Sequence, residues 1–71
     1  MLHITLSNGN KVQYDIPTND LTGQEALNIL RTHFPADPNN IQFSMSRVEK
    51  EEHDSEGNLV VTLKSNATTK G

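Results

Sequence analysis

The residues best equipped for chemistry lie together at positions 49–56. The run EKEEHDSE brings Glu49, Glu51, Glu52, His53, Asp54 and Glu56 within eight places of one another. Clustered carboxylates with an imidazole have the donor types for a divalent cation or for general acid–base work. The spacing suits neither. It has no EF-hand register, and in an extended chain Glu51 and Glu52 would point to opposite faces. Acid–base catalysis needs a concave pocket and a perturbed pKa, whereas a stretch this charged is expected to stay hydrated. The simpler expectation for 49–56 is a solvated edge strand and turn, whose charges discourage edge-to-edge pairing. The other histidines, His3 and His33, fall on an outward strand position and at a helix end, so the three are not expected to meet. Asn8-Gly9 reads as a turn and not a phosphate cradle, because no helix start follows it. The expectation is a protein that is not an enzyme and has no cofactor or metal.

Length and charge narrow the classes further. Seventy-one residues suffice for one domain. The net charge of −3 and pI of about 5.4 argue against sequence-independent binding to nucleic acid or to an anionic membrane, which needs a basic surface. No cysteine is present, so neither disulfides nor thiolate sites contribute. There is no apolar run of spanning length and no basic-then-apolar start. A soluble, cytoplasmic protein is expected.

The elements that must position any site follow from periodicity. Leu21 to Phe34 reads as a helix: Thr22 and Glu25 form a capping box, and Pro35 and Pro38 mark the stop. Ala26, Leu27, Ile29, Leu30 and Phe34 share an apolar arc, with Gln24, Asn28, Arg31 and Thr32 expected to face water. His33 falls inside the arc by angle and is expected to cap the last turn.

Met1 to Ile16 reads as a β-hairpin, with Leu2, Ile4 and Leu6 on one face and Val12, Tyr14 and Ile16 matching them. Parity favours a three-residue loop through Asn10, setting Leu6 opposite Val12. Ile41, Phe43 and Met45 alternate with Gln42, Ser44 and Ser46, which predicts a third strand. The alternation slips at Arg47-Val48, where a bulge is expected. Leu59 to Lys64 reads as a central strand, and residues 65–71 as a disordered tail after a single domain at 1–64.

The expected architecture is α+β, a ββαββ chain forming a four-stranded mixed sheet with one helix packed on one face. Strands one and four lie parallel in the middle, and two and three at the edges. The opening hairpin, the capped helix at Thr22, the Pro35/Pro38 exit into Ile41-Gln42-Phe43 and the last apolar strand together resemble the ubiquitin-like β-grasp family. The resemblance implies a protein-interaction module, a conjugated tag or a sulfur carrier. The tag and carrier activities require a terminal Gly-Gly, and this sequence ends Thr69-Lys70-Gly71.

The resulting functional expectation is a small non-catalytic protein-interaction module, monomeric or weakly homodimeric. A protein partner would meet His3, Thr5, Val60 and Thr62 on the sheet face away from the helix, or Gln13 and Asp15 at the edge of strand two. The outward residues read from the pattern (His3, Thr5, Ser7, Gln42, Ser44, Thr62 and Lys64, with Val60 the one hydrophobe) make that face look solvated. Strand addition at an edge fits it, since backbone hydrogen bonds need no apolar patch. The alternative is a small acidic inhibitor or mimic that presents residues 49–56 to a basic surface.

Overall fold

A computed structural model describes residues 1–66. Leu2, Ile4 and Leu6 are buried, as are Leu59, Val61 and Leu63, so period-two alternation sets the sheet's inner face on both central strands. Strands β1 (Leu2–Thr5) and β4 (Leu59–Ser65) pair in parallel, β2 (Lys11–Tyr14) adds antiparallel to β1, and β3 (Ser46–His53) adds antiparallel to β4. The order β2-β1-β4-β3 leaves β2 and β3 as edges. Helix α1 (Gly23–His33) covers the inner face with Ala26, Leu27 and Leu30, all fully buried. Among the described residues no helix is long and apolar enough to cross a membrane.

Both hairpins use the same turn. Ser7-Asn8-Gly9-Asn10 and Ser55-Glu56-Gly57-Asn58 each place glycine at positive φ, 93° and 83°, where an L side chain is strained. In the first, the Leu6 N–H donates to Asn10 O at 2.7 Å and the Gly9 N–H to Leu6 O at 2.9 Å. In the second, the Asp54 N–H donates to Asn58 O at 2.9 Å and the Gly57 N–H to Asp54 O at 3.2 Å. This three-residue loop with a glycine bulge fixes the register. Ile4, not Leu6, lies opposite Val12. The two-residue offset from the expected pairing preserves parity, so the apolar face survives.

The capping box forms as read. The Glu25 N–H donates to Thr22 Oγ1 at 3.1 Å, and the Thr22 N–H to Glu25 Oε1 at 2.9 Å. A second carboxylate joins it: Glu51 Oε1, from β3, accepts the Gly23 N–H at 2.8 Å. Negative charge and an acceptor at this end offset the helix dipole and satisfy an orphan donor. The approach is close enough to require glycine. A Cβ at Gly23 would sit 2.7 Å from Glu51 Oε1, 3.1 Å from Val48 Cγ1 and 3.2 Å from Glu51 Cβ. Gly23→Ala is therefore expected to destabilise by about 1–2 kcal/mol through overpacking, despite alanine's higher helix propensity. Urea unfolding checks this, and a stabilised variant would contradict the packing.

The third strand differs from expectation. Residues Asn40–Ser44 form a short helix, α2, and the strand begins at Ser46. Only Phe43 of the apparent apolar alternation is buried; Ile41 and Met45 are 68% and 54% exposed. Tertiary hydrogen bonding explains the winding. Asn40 Nδ2 donates to Phe34 O at 3.0 Å and to Leu30 O and Arg31 O at 3.4 Å, closing the C-terminus of α1. Arg31, expected to face water, turns back instead. Its Nε donates to Phe43 O at 2.9 Å and its Nη2 to Ser46 O at 3.0 Å.

The bulge falls between Val48 and Lys50, just past the expected slip. His33 is exposed, outside the packed stripe. Ser65 belongs to β4, and the Asn66 N–H donates to Met45 O at 2.7 Å, so the ordered chain passes the expected boundary at 64. The rest of the expected tail, 67–71, lies outside the described residues.

Tyr14 closes the far side of the core. Its ring meets Phe34 and Phe43 edge-on at 5.3 and 6.0 Å, and its hydroxyl donates to Asp37 Oδ2 at 2.9 Å. Burial, then the hydrogen bond to Asp37, raises the phenol's pKa.

Candidate partner-binding face

The strand register divides the acidic run. Glu51 and His53 lie opposite Val61 and Leu59 and so share the inner face, while Lys50 and Glu52 lie opposite Thr62 and Val60 on the outer one. Glu51 is engaged at the start of α1. Glu52 pairs with Lys50 at 3.1 Å. Asp54 is tied into its turn: one oxygen accepts the Glu56 and Asn58 N–H groups, both at 2.9 Å, and the other accepts Asn58 Nδ2 at 3.1 Å. The Asn58 N–H, then the Asn58 side-chain amide, hold the Asp54 carboxyl below the ordinary aspartate range, with smaller help from the Glu56 N–H and the nearby His3. The run is thus distributed over two faces and a turn. Among the described residues no three histidine or acidic side chains are placed to hold a metal ion.

The outer face of the sheet is a grid set by pairing. One row reads Gln13, His3, Val60 and Glu52; the next reads Lys11, Thr5, Thr62 and Lys50; Lys64 and Arg47 lie opposite each other beyond them. Five of the six residues expected to meet a partner (His3, Thr5, Gln13, Val60 and Thr62) come together here. Asp15 lies just past the end of β2 and is exposed. A shallow cavity of about 480 Å³ lies over the β1–β2 side, its lining including His3, Thr5, Lys11, Gln13, Val60 and Asp54. A second, about 640 Å³, lies at the sheet end beside α2 and includes Ser7, Gln42, Met45, Glu49 and Lys64. Both are open to solvent.

Comparison of the chain with protein-family models, curated proteins and solved structures finds no match in any of the three.

The sequence reading placed Lys64 on the outer face but missed the basic residues that β3 supplies, Arg47 and Lys50. Assigning the third strand to 41–46 put Gln42 and Ser44 where the structure places Lys50, Glu52 and Arg47. The signal was present in part: Lys50 and Glu52 alternate with Glu51 and His53 as an edge strand would, and the slip at Arg47-Val48 marks the bulge that resets the faces before them.

Proposed function

We propose that this chain is a small, non-catalytic protein-interaction module of β-grasp-like, ubiquitin-like character, docking a protein partner on the outer face of its sheet. The carrying observation is the asymmetry of the sheet. One face is covered by α1 and α2. The other is uncovered and presents His3, Thr5, Gln13, Val60 and Thr62 beside a shallow cavity. One solvated face is ordinary for a sheet covered by helices on one side, and the cavity over the β1–β2 side is the feature that singles this face out. The reading carries with it a cytoplasmic, soluble protein, monomeric or weakly homodimeric, acting without cofactor, nucleic acid or membrane.

Photo-crosslinking tests it. A benzoylphenylalanine at Thr5 or Thr62 is expected to yield a discrete protein adduct in cells. The same probe at Gln24 or Thr32, exposed on the far side of α1, is expected to yield none.

A further inference from the structure

The outer face is basic although the chain is acidic. Of the five lysines and arginines among the described residues, Lys11, Arg47, Lys50 and Lys64 occupy outer-face positions, against Glu52 in the strands and Asp54 at the cavity, with the bulge residue Glu49 beside Lys64 at the sheet end. Four cations against Glu52 and Asp54 give the face a formal +2, while the whole chain is −3. Asp54 borders the cavity as a carboxylate held in place by the N–H donors of its own turn. Lys50–Glu52 is the ion pair among the described residues, so Lys11, Arg47 and Lys64 have no carboxylate partner there. Among the described residues Arg47 Nη1 donates to Asn66 Oδ1 at 3.3 Å and to Ser65 O at 3.5 Å. Arg47 and Lys64 also stand directly opposite each other, an arrangement of like charges that weakens a sheet. Local rules broken without a compensating gain in the fold are expected where a surface serves a ligand.

We infer that this face takes an acidic polypeptide segment. The inference rests on the outer-face reading above and names the partner's chemistry. Lys11 and Lys50 sit at the two edges of one row, three strand spacings apart, or about 14 Å. An extended segment crossing the strands covers that distance in about four residues, so carboxylates four apart reach both lysines. Arg47 and Lys64, one row on, receive an acidic flank.

Nucleic acid fits less well. The aromatic residues Tyr14, Phe34 and Phe43 all pack on the inner side, leaving no stacking platform for bases.

The test is an amide-shift titration of the full chain with deca-glutamate, a ten-residue Gly-Ser peptide and a ten-nucleotide oligothymidylate. Deca-glutamate is expected to move His3, Thr5, Lys11, Lys50, Thr62 and Lys64, and the Gly-Ser peptide nothing. The double variant Lys11→Glu/Lys64→Glu should raise the deca-glutamate Kd about tenfold or more, and Glu25→Lys on α1 should leave it unchanged. The charge-neutral pair Lys11→Gln/Lys64→Gln repeats the test if the reversal unfolds.

Absent shifts at millimolar peptide, or shifts confined to α1, overturn the inference, as does an oligothymidylate bound as tightly as deca-glutamate. Concentration-dependent shifts on the same residues without peptide would assign the face to a second copy and also overturn it. Crosslinks at Thr5 and Thr62 with no deca-glutamate binding would remove the acidic partner and leave the docking face standing.

Discussion

Phe43→Ala is expected to lower stability by about 3–5 kcal/mol, whereas Ile41→Ser and Met45→Ser each stay within about 0.5 kcal/mol of the parent. A chain of this length has only about 4–11 kcal/mol in total, so the Phe43 variant should be largely or wholly unfolded under mild denaturant. The contrast arises because α2 buries Phe43 completely and turns Ile41 and Met45 to solvent. Phe43 also forms part of the aromatic contact with Tyr14, which the alanine variant loses. If residues 41–46 were a strand, all three side chains would share one face and cost comparable amounts. Urea unfolding of the three variants separates the alternatives, and a similar loss at all three would contradict the short helix.

Arg31→Ala should cost about 2–4 kcal/mol, the second-largest effect. Its guanidinium donates to Phe43 O and Ser46 O at once, joining α1 to the end of α2 and to the first residue of β3. Ser46 is almost fully buried, and a carbonyl that loses a charged donor there bears a desolvation penalty with nothing to replace it. Arg31→Lys should recover only part of the loss, because one ammonium does not reproduce the two-pronged geometry. Thermal unfolding reads this as a fall of roughly 4–8 °C per kcal/mol for a domain of this size. A variant that melts with the parent would show that the contact carries no weight.

These two residues also mark where the sequence was hard to read. Short-range signals were sufficient wherever the physics is local. Thr22 and Glu25 announce the helix start, glycine after Ser-Asn and Ser-Glu announces each turn, and alternation in Leu2 to Leu6 and Leu59 to Leu63 assigns the inner face. The ββαββ order and the β2-β1-β4-β3 sheet follow from those signals and from the short connections. Ile41-Gln42-Phe43-Ser44-Met45 fails because its alternation is compatible with a strand, while the partners that wind it, Asn40 on the end of α1 and Arg31 on Phe43 O, act across the fold. A short apolar run cannot be assigned by period alone.

That one displacement propagated to the site. The faces of β1, β2 and β4 were legible, so His3, Thr5, Gln13, Val60 and Thr62 assemble as the pattern implied. The face read as solvated, and its charge went unremarked because the edge strand that supplies Arg47 and Lys50 was placed five residues too early. Glu51 was obscured for a related reason. Its partner, the Gly23 N–H, is 28 residues away, and no local spacing points to it. Within the acidic run, Glu51 caps a helix, Glu52 joins an ion pair and Asp54 holds a turn.

The most direct test of the docking face is the paired crosslinking measurement, with benzoylphenylalanine at Thr62 and at Thr32 in cells expressing equal amounts of each. The account predicts a discrete adduct at Thr62 that weakens when Lys11 and Lys64 are reversed in charge, and none at Thr32. An adduct at Thr32 with none at Thr62 would contradict it and move the working surface to the helix.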